Sequence, residues 1–595
     1  MPTAILTGQP VPGSSIEGDL RSLGFDVRVA SGADDTAALL AQAPADERVA
    51  VVDPRFVGHV HALRLGLTDP RFPLAAVPGA VTAQPAGRQA LTRALTRESG
   101  EGTGPVAVDS LADRLITALD ADGAGLHRPE LGSLVATVPA DPQARNEARQ
   151  AVTAVDDEAV RLKSAVKARD GFFTTFFISP YSRYIARWCA RRGLTPNQVT
   201  TASLLTALIA AGCAATGTRG GFVAAGVLLI FSFVLDCTDG QLARYSLQYS
   251  TLGAWLDATF DRAKEYAYYA GLALGAARGG DDVWALALGA MILQTCRHVV
   301  DFSFNEANHD ATANTSPTAA LSDKLDSVGW TVWVRRMIVL PIGERWAMIA
   351  ILTAATTPRI TFYALLIGCA FAATYTTAGR VLRSLTRRAE RTERAAKALA
   401  DLADNGPLAE GLSKVAWPLK TPFASALTGA AVIVVTAGIA PYGSRLSALA
   451  AVFYVCFSAL ALARPLTGAL DWLVPPFFRA AEYGTVLILA AKSEVNGALP
   501  AAFGLVAAVA YHHYDTVYRI RGNAGAPPAW LVRAIGGQDG RTLLVVVLAA
   551  LLTGSQFTLA LTAVAVVVAL VVLVESIRFW VSAGAPAVHD EGEPA

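Results

Sequence analysis

Between residues 236 and 261 the chain reads DCTDGQLARYSLQYSTLGAWLDATFD, which sets Asp236, Asp239, Asp257 and Asp261 inside a strongly apolar part of the sequence. On a helix turning about 100° per residue, Asp239 lies about 60° behind Asp236, Gly240 about 40° ahead and Ala243 about 20° behind, so all four share one face. Gly253, Asp257 and Asp261 step by four and share one face of the next helix. Two antiparallel helices joined by a short turn then bring two acidic pairs together. An ionised aspartate within a membrane span costs roughly 2.5–3.5 kcal/mol on insertion scales, so four of them require a compensating cation. Carboxylate-only clusters suit hard divalent ions such as Mg²⁺ or Mn²⁺, which bridge phosphate oxygens and stabilise charge during in-line displacement. Gly240, Ala243 and Gly253 remove side-chain bulk where a nucleotide diphosphate must approach the backbone. Arg244 supplies a fixed cation for phosphate.

The elements that must position these residues are membrane helices. Of 595 residues, 53% are hydrophobic and 17% charged, and the mean hydropathy is +0.39, well to the apolar side of soluble proteins. A span needs about 20 residues as helix, and such segments are expected near 199–217, 221–243, 252–276, 283–303, 346–357 and 360–380. Arg187, Arg191 and Arg192 precede the first and Arg380, Arg383, Arg387, Arg388, Arg391 and Arg394 follow the sixth, so both ends are expected on the cytoplasmic side. The net charge of +1 leaves no basic field for nucleic acid. The six cysteines are scattered without metal-ligand spacing and read as small buried residues.

Residues 1–165 read differently. Short β-like runs (TAILTG, DVRVA, RVAVVD) alternate with helical stretches (DTAALLAQA, DSLADRLITALD), which predicts a small soluble α/β domain. The N-terminus lacks the basic and apolar regions of a signal peptide, so this domain is expected in the cytoplasm. The charged helical passage that follows leads into FFTTFFISPYSRYIARW, whose interleaved aromatics and arginines suggest an interfacial helix, with Arg183, Arg187, Arg191 and Arg192 facing anionic lipid. Beyond the membrane domain at 170–390, which holds the six spans, lie a charged helical linker at 391–420 and a C-terminal membrane domain of about six spans at 421–595. The fold class expected is thus mainly α-helical and polytopic, with a soluble α/β domain in front and a second helical bundle behind.

The eight fixed residues of 236–261 match the signature D-x2-D-G-x2-A-R-x8-G-x3-D-x3-D without a departure, and on them the segment 170–390 resembles the CDP-alcohol phosphotransferase family. LTPNQVT before the first span (Thr195, Pro196, Asn197, Thr200) is also family-like. The resemblance implies a six-helix bundle, a homodimer, and a reaction in which a CDP-activated lipid donor gives its phospho-alcohol group to an alcohol or phosphorylated-alcohol acceptor with release of CMP. It further implies Asp236, Asp239 and Asp257 as metal ligands, Asp261 as ligand and base, and Gly240, Ala243, Arg244 and Gly253 as the lining of the CDP pocket.

The run LDATFDRAKEYAYY resembles the third span of phosphatidylinositol-phosphate synthases, so Arg262, Lys264 and Arg297 are candidates for holding an acceptor phosphate, with Arg335, Arg336 and Arg380 behind them. Arg297 can equally pair with Asp301, four residues on. The N-terminal region invites comparison with soluble nucleotidyltransferases fused to this membrane module, yet LTGQPVPGSSIEGDL lacks their Gly-rich phosphate loop with its Arg and Lys, and catalysis there is not expected. His59 and His61, two residues apart, point to different sides and make a poor metal pair. In the C-terminal block Glu482, His512, His513, Asp515 and Arg519 sit at apolar depth, where pairing such as Glu482 with Arg519 competes with a substrate path. A competing function is lipid transport or scaffolding with a relic catalytic bundle; the intact acids weigh against a relic.

Overall fold

Strands buried on both faces read as unbroken apolar runs, and in the computed structural model TAIL and VAVV form β1 (Thr3–Leu6) and β3 (Val49–Val52). The structure describes residues 1–100, 110–167, 170–310, 333, 337–386, 390–415 and 421–582. It falls into two units, one of Met1–Ala168, Tyr181–Pro196 and Thr238–Tyr249, the other of Arg169–Pro180, Asn197–Cys237 and Ser250–Ala595.

In the first unit β2 (Asp26–Val29) and β3 flank β1 in parallel. An antiparallel hairpin of β4 (Leu74–Val77) and β5 (Ala80–Ala83) completes the order β2-β1-β3-β5-β4. This hairpin adds two strands to those expected, and its signal is the Pro78-Gly79 turn, where Gly79 adopts φ +77°. Alternation along the strands serves two cores. Ile5, Val49 and Val51 pack with Leu40, Leu91 and Leu115, whereas Ala4, Leu6, Ala50 and Val52 pack with Leu20 and Leu63. His59 is a structural residue: its Nδ1 accepts from the Val135 amide at 2.8 Å and its Nε2 lies 3.1 Å from the Val152 carbonyl.

The second unit holds the membrane helices. The six expected first are α1 (Pro196–Ala215), α2 (Arg219–Ser246, whose last turns belong to the first unit), α3 (Thr251–Arg278), α4 (Trp284–Asn308), α5 (Ile342–Ala355) and α6 (Pro358–Thr386). Six more follow: α7 (Pro422–Ile439), α8 (Arg445–Leu462), α9 (Val474–Lys492), α10 (Ala498–Arg521), α11 (Gly537–Leu551) and α12 (Gly554–Ser582). Among the described residues eight helical segments are long and apolar enough to cross a membrane, and the chain is an integral membrane protein. Helix α3 falls short of that composition because it carries the site's charges, and α5 because it has 14 residues.

Small residues set the spacing of the first bundle, as is common where lipid replaces water. A Cβ at Gly271 would meet the Ala211 carbonyl at 2.4 Å and one at Gly275 the Ala214 carbonyl at 2.0 Å, so α3 lies directly on α1. Gly226 of α2 approaches the Ala350 carbonyl of α5 in the same way. Ser203 and Ser232 exchange hydroxyl-to-carbonyl bonds of 2.9 and 2.8 Å between α1 and α2. No disulfide joins the six cysteines, and the expectation that they are buried holds for Cys189 and Cys369, while Cys213, Cys237 and Cys296 are half-buried and Cys456 is exposed.

In the α/β domain His61 is buried beside Arg161 and Arg64, and burial first, then these cations, lower its pKa to about 4. An unfolded histidine titrates near 6.5. Between these values the unfolded state binds more protons, so stability is constant above pH 6.5 and falls as pH drops towards 4, by about 3 kcal/mol at most. Hydrogen-exchange protection of the Val60–Leu67 amides is expected to decline over that window, and His61→Leu to remove the decline.

Candidate active site

The site is built where α2, α3 and α1 meet. Asp236 lies on α2, and the turn after it ends with Leu247 at φ +53° and Ser250, whose hydroxyl caps α3 by accepting from the Gly253 amide at 2.9 Å. Gly253 must be small: a Cβ there would lie 2.7 Å from Asn197 Oδ1 and 2.8 Å from Ser250 Oγ. The cap sets the phase of α3, and four and eight residues beyond Gly253 come Asp257 and Asp261.

Asp236, Asp257 and Asp261 converge, each offering a carboxylate oxygen within 4.8 Å of the others. Asp239 follows Asp236 by one turn of α2 and is buried. Three facing carboxylates with oxygen donors alone fit a hard divalent cation. Their appetite for positive charge is visible in the structure. Lys264 is 0% exposed, pairs with Asp236, and lies 2.8 Å from Asp261. Its ammonium also donates to Ser203 Oγ at 3.2 Å, and Trp346 stands 5.5 Å away. Lys264, a candidate for holding an acceptor phosphate, here pairs with two members of the acidic cluster. Its spacing of three from Asp261 was the signal for this pairing.

The other acceptor candidates are spread along the bundle. Arg262 donates to Glu265 Oε2 at 3.0 Å, and Glu265 is shared with Arg345 (3.2 Å) and the Tyr269 hydroxyl (2.7 Å). Arg297 donates to the Val339 carbonyl, and Asp301 pairs with Arg380 on α6. Arg335 and Arg336 lie outside the described residues.

Of the residues expected to line the nucleotide pocket, Gly240, Ala243 and Arg244 occur on the last turns of α2, within the first unit, and Gly253 on α3, within the second. Gly240 leaves the Arg244 guanidinium 3.5 Å from where a Cβ would stand. Arg244 Nε donates to the Ala165 carbonyl at 2.6 Å. Its neighbours are held similarly: Arg161 stacks 3.6 Å over the Tyr245 ring, and Arg71 4.0 Å over Tyr249. Arg187 and Arg191, expected to face lipid, come within 3.8 Å of Glu158.

The model of the CDP-alcohol phosphatidyltransferase family matches residues 193–373. This segment is a CDP-alcohol phosphatidyltransferase domain. Residues 393–595 match a family of unknown function, DUF5941. The chain is 32% identical over 130 residues to the phosphatidylinositol phosphate synthase of Streptomyces avermitilis, covering 21% of this chain and 51% of that protein. It is 31% identical over 113 residues to the archaetidylinositol phosphate synthase of Pyrococcus horikoshii, covering 19% and 58%. With the bifunctional IPC transferase and DIPP synthase of Rubrobacter xylanophilus it shares 42% identity over 84 residues, 14% of this chain and 18% of that one. The chain thus spans about half the length of the two synthases.

The C-terminal family carries its own buried charges. Asp404 accepts from Arg541 at 2.7 Å and lies 3.1 Å from both Arg479 and His512, while Glu482 pairs with Arg541 at 2.6 Å and Arg479 at 2.9 Å. The expected Glu482–Arg519 pair is corrected: Arg519 binds Asp515 (2.9 Å) and Glu575 (2.7 Å).

Losing one member of a buried charge cluster costs about 3–5 kcal/mol. Lys264→Met is expected to lower the melting temperature of the metal-free protein, and Mg²⁺ to raise it by more than in wild type, because binding to the folded state alone stabilises it. Thermal unfolding in detergent with EDTA and with Mg²⁺ checks this; equal melting of both proteins in EDTA contradicts it.

Proposed function

We propose that the protein transfers a phosphatidyl or related phospho-alcohol group from a CDP-alcohol, such as CDP-diacylglycerol, to an inositol phosphate, releasing CMP. The convergence of Asp236, Asp257 and Asp261 within 4.8 Å, inside an unbroken eight-residue signature, carries this reading. The names of the relatives, two of which are inositol phosphate lipid synthases, favour a phosphorylated inositol as acceptor.

Asp236, Asp239, Asp257 and Asp261 would hold Mg²⁺ or Mn²⁺, whose charge would neutralise the donor diphosphate. Gly240, Ala243 and Gly253 leave room for the nucleotide and its phosphates, and Arg244 binds a phosphate oxygen. Asp261 takes the proton of the acceptor hydroxyl. The acceptor oxygen then bonds to the phosphorus that carries the lipid alcohol, the bond from that phosphorus to the bridging oxygen breaks, and CMP leaves with that oxygen. Lys264, paired with Asp236 and Asp261, balances part of their charge. The site opens to the cytoplasm of a bacterial cell in this reading, with the α/β domain on the same side. A lipid transporter with a relic bundle would have no use for the compensated acids.

The test is CMP release by the detergent-purified full chain given CDP-diacylglycerol and Mg²⁺, with inositol 1-phosphate, inositol, glycerol 3-phosphate and glycerol offered separately. Release is expected with inositol 1-phosphate, and Asp261→Asn to lower it by roughly 10²–10⁴-fold, the usual worth of general-base catalysis. Folded, metal-binding protein that releases no CMP with any of the four overturns the proposal.

A further inference from the structure

The family matched by residues 393–595 has no assigned function, yet its helices reach the acidic helix on both sides of the acids. Trp580 of α12 stacks on Trp255, two residues before Asp257, with ring centroids 6.0 Å apart. Tyr514 of α10 lies under the Arg262 guanidinium, 5.2 Å from carbon to ring centroid, one residue after Asp261. The C-terminal bundle therefore brackets the segment that carries both catalytic acids of α3.

Tyr514 is tied down from two directions. Its hydroxyl lies 2.7 Å from His298 Nδ1, and Arg262 Nη1 is 3.5 Å from the same nitrogen. Arginine can only donate, so Nδ1 is the acceptor and the tyrosine hydroxyl the second donor. The other His298 nitrogen is 2.7 Å from the Gln294 amide. Beside Tyr514 on α10, Asp515 accepts from Ser576 and from the Trp580 indole, both at 2.7 Å, so α10 and α12 are locked together next to the two aromatic contacts.

Arg262 itself is held but not used up. One terminal nitrogen binds Glu265, the face rests on Tyr514, and the Nε–H is buried with no hydrogen-bond partner among the described residues. A buried N–H without an acceptor costs free energy until something accepts from it. Next to the base that activates the acceptor, the group that would do so is an anion on the acceptor.

We propose that Tyr514 of the C-terminal bundle is a positioning residue for the transfer reaction, fixing Arg262 so that it receives the acceptor's anionic group beside Asp261. The inference rests on the reading of the site given under Proposed function. It assigns the C-terminal family a part in acceptor recognition: the phosphotransferase bundle supplies the groups that touch substrate, and the second bundle supplies the aromatic floor that orients one of them.

The experiment is a steady-state comparison on the full chain in detergent, with CDP-diacylglycerol, Mg²⁺ and inositol 1-phosphate. Tyr514→Ala is expected to raise KM for inositol 1-phosphate about tenfold, the worth of a desolvated cation–π contact, while KM for CDP-diacylglycerol and kcat stay within about twofold. Tyr514→Phe keeps the ring under Arg262 and loses the bond to His298, so a smaller rise in the same constant is expected even if the alanine variant folds poorly. In an Arg262→Met background Tyr514→Ala is expected to add nothing, since the tyrosine acts through the arginine. An unchanged acceptor KM in both tyrosine variants, an equal loss for donor and acceptor, or full additivity with Arg262→Met overturns the positioning role. Absence of CMP release by the wild type overturns the functional reading first, and this role with it.

Discussion

Negative charge held inside an apolar bundle is the constraint on which the rest of the structure depends. Three carboxylates within 4.8 Å repel one another wherever they stand, and the repulsion is strongest where water is scarce. The protein answers with Lys264, which belongs to α3 but reaches Asp236 on α2 and Ser203 on α1. A single buried ammonium thus ties three helices together through the site itself. The glycines of α3 allow it, since the backbone of α3 must lie against α1 for a side chain of that length to span the gap.

The same arithmetic of charge recurs in the C-terminal bundle, where Asp404 and Glu482 share Arg479 and Arg541. Two acids and two guanidiniums cancel within one cluster, and every carboxylate named there has a partner. Buried pairs of this kind are weak evidence for stability and better evidence for a fixed arrangement. Asp404 lies between the helices Glu393–Leu402 and Pro407–Ser413, and the first of them buries an apolar face of Ala395, Ala396, Ala398, Leu399 and Leu402. What reads as a charged linker is the piece that pins α9, α10 and α11 to one another.

The eight-residue signature was legible because helical spacing of three and four puts its members on common faces, and local geometry of that kind survives folding unchanged. The long helices were legible from hydropathy for the same reason. The β4–β5 hairpin escaped, despite its Pro78-Gly79 turn, because its runs LAAV and AVTA are rich in alanine, which is depleted in strands. The ion partners escaped for a different reason. Glu482 finds Arg541 and Asp301 finds Arg380 across 59 and 79 residues of sequence, and nothing in local pattern says which of several arginines a carboxylate will meet. Lys264 stands between these cases: its nearness to Asp261 was local, but its bond to Asp236 depends on how closely α2 and α3 approach.

The stack of Trp255 on Trp580 joins residues near the middle of the chain to residues near its far end. A ribosome adding roughly 5–20 residues per second makes the first tryptophan well before the second, so the phosphotransferase helices enter the membrane and fold for some tens of seconds without their brace. During that interval the acids are in place while one wall is missing. Formation of the stack is then a late assembly step between two segments of one chain, module first and brace afterwards.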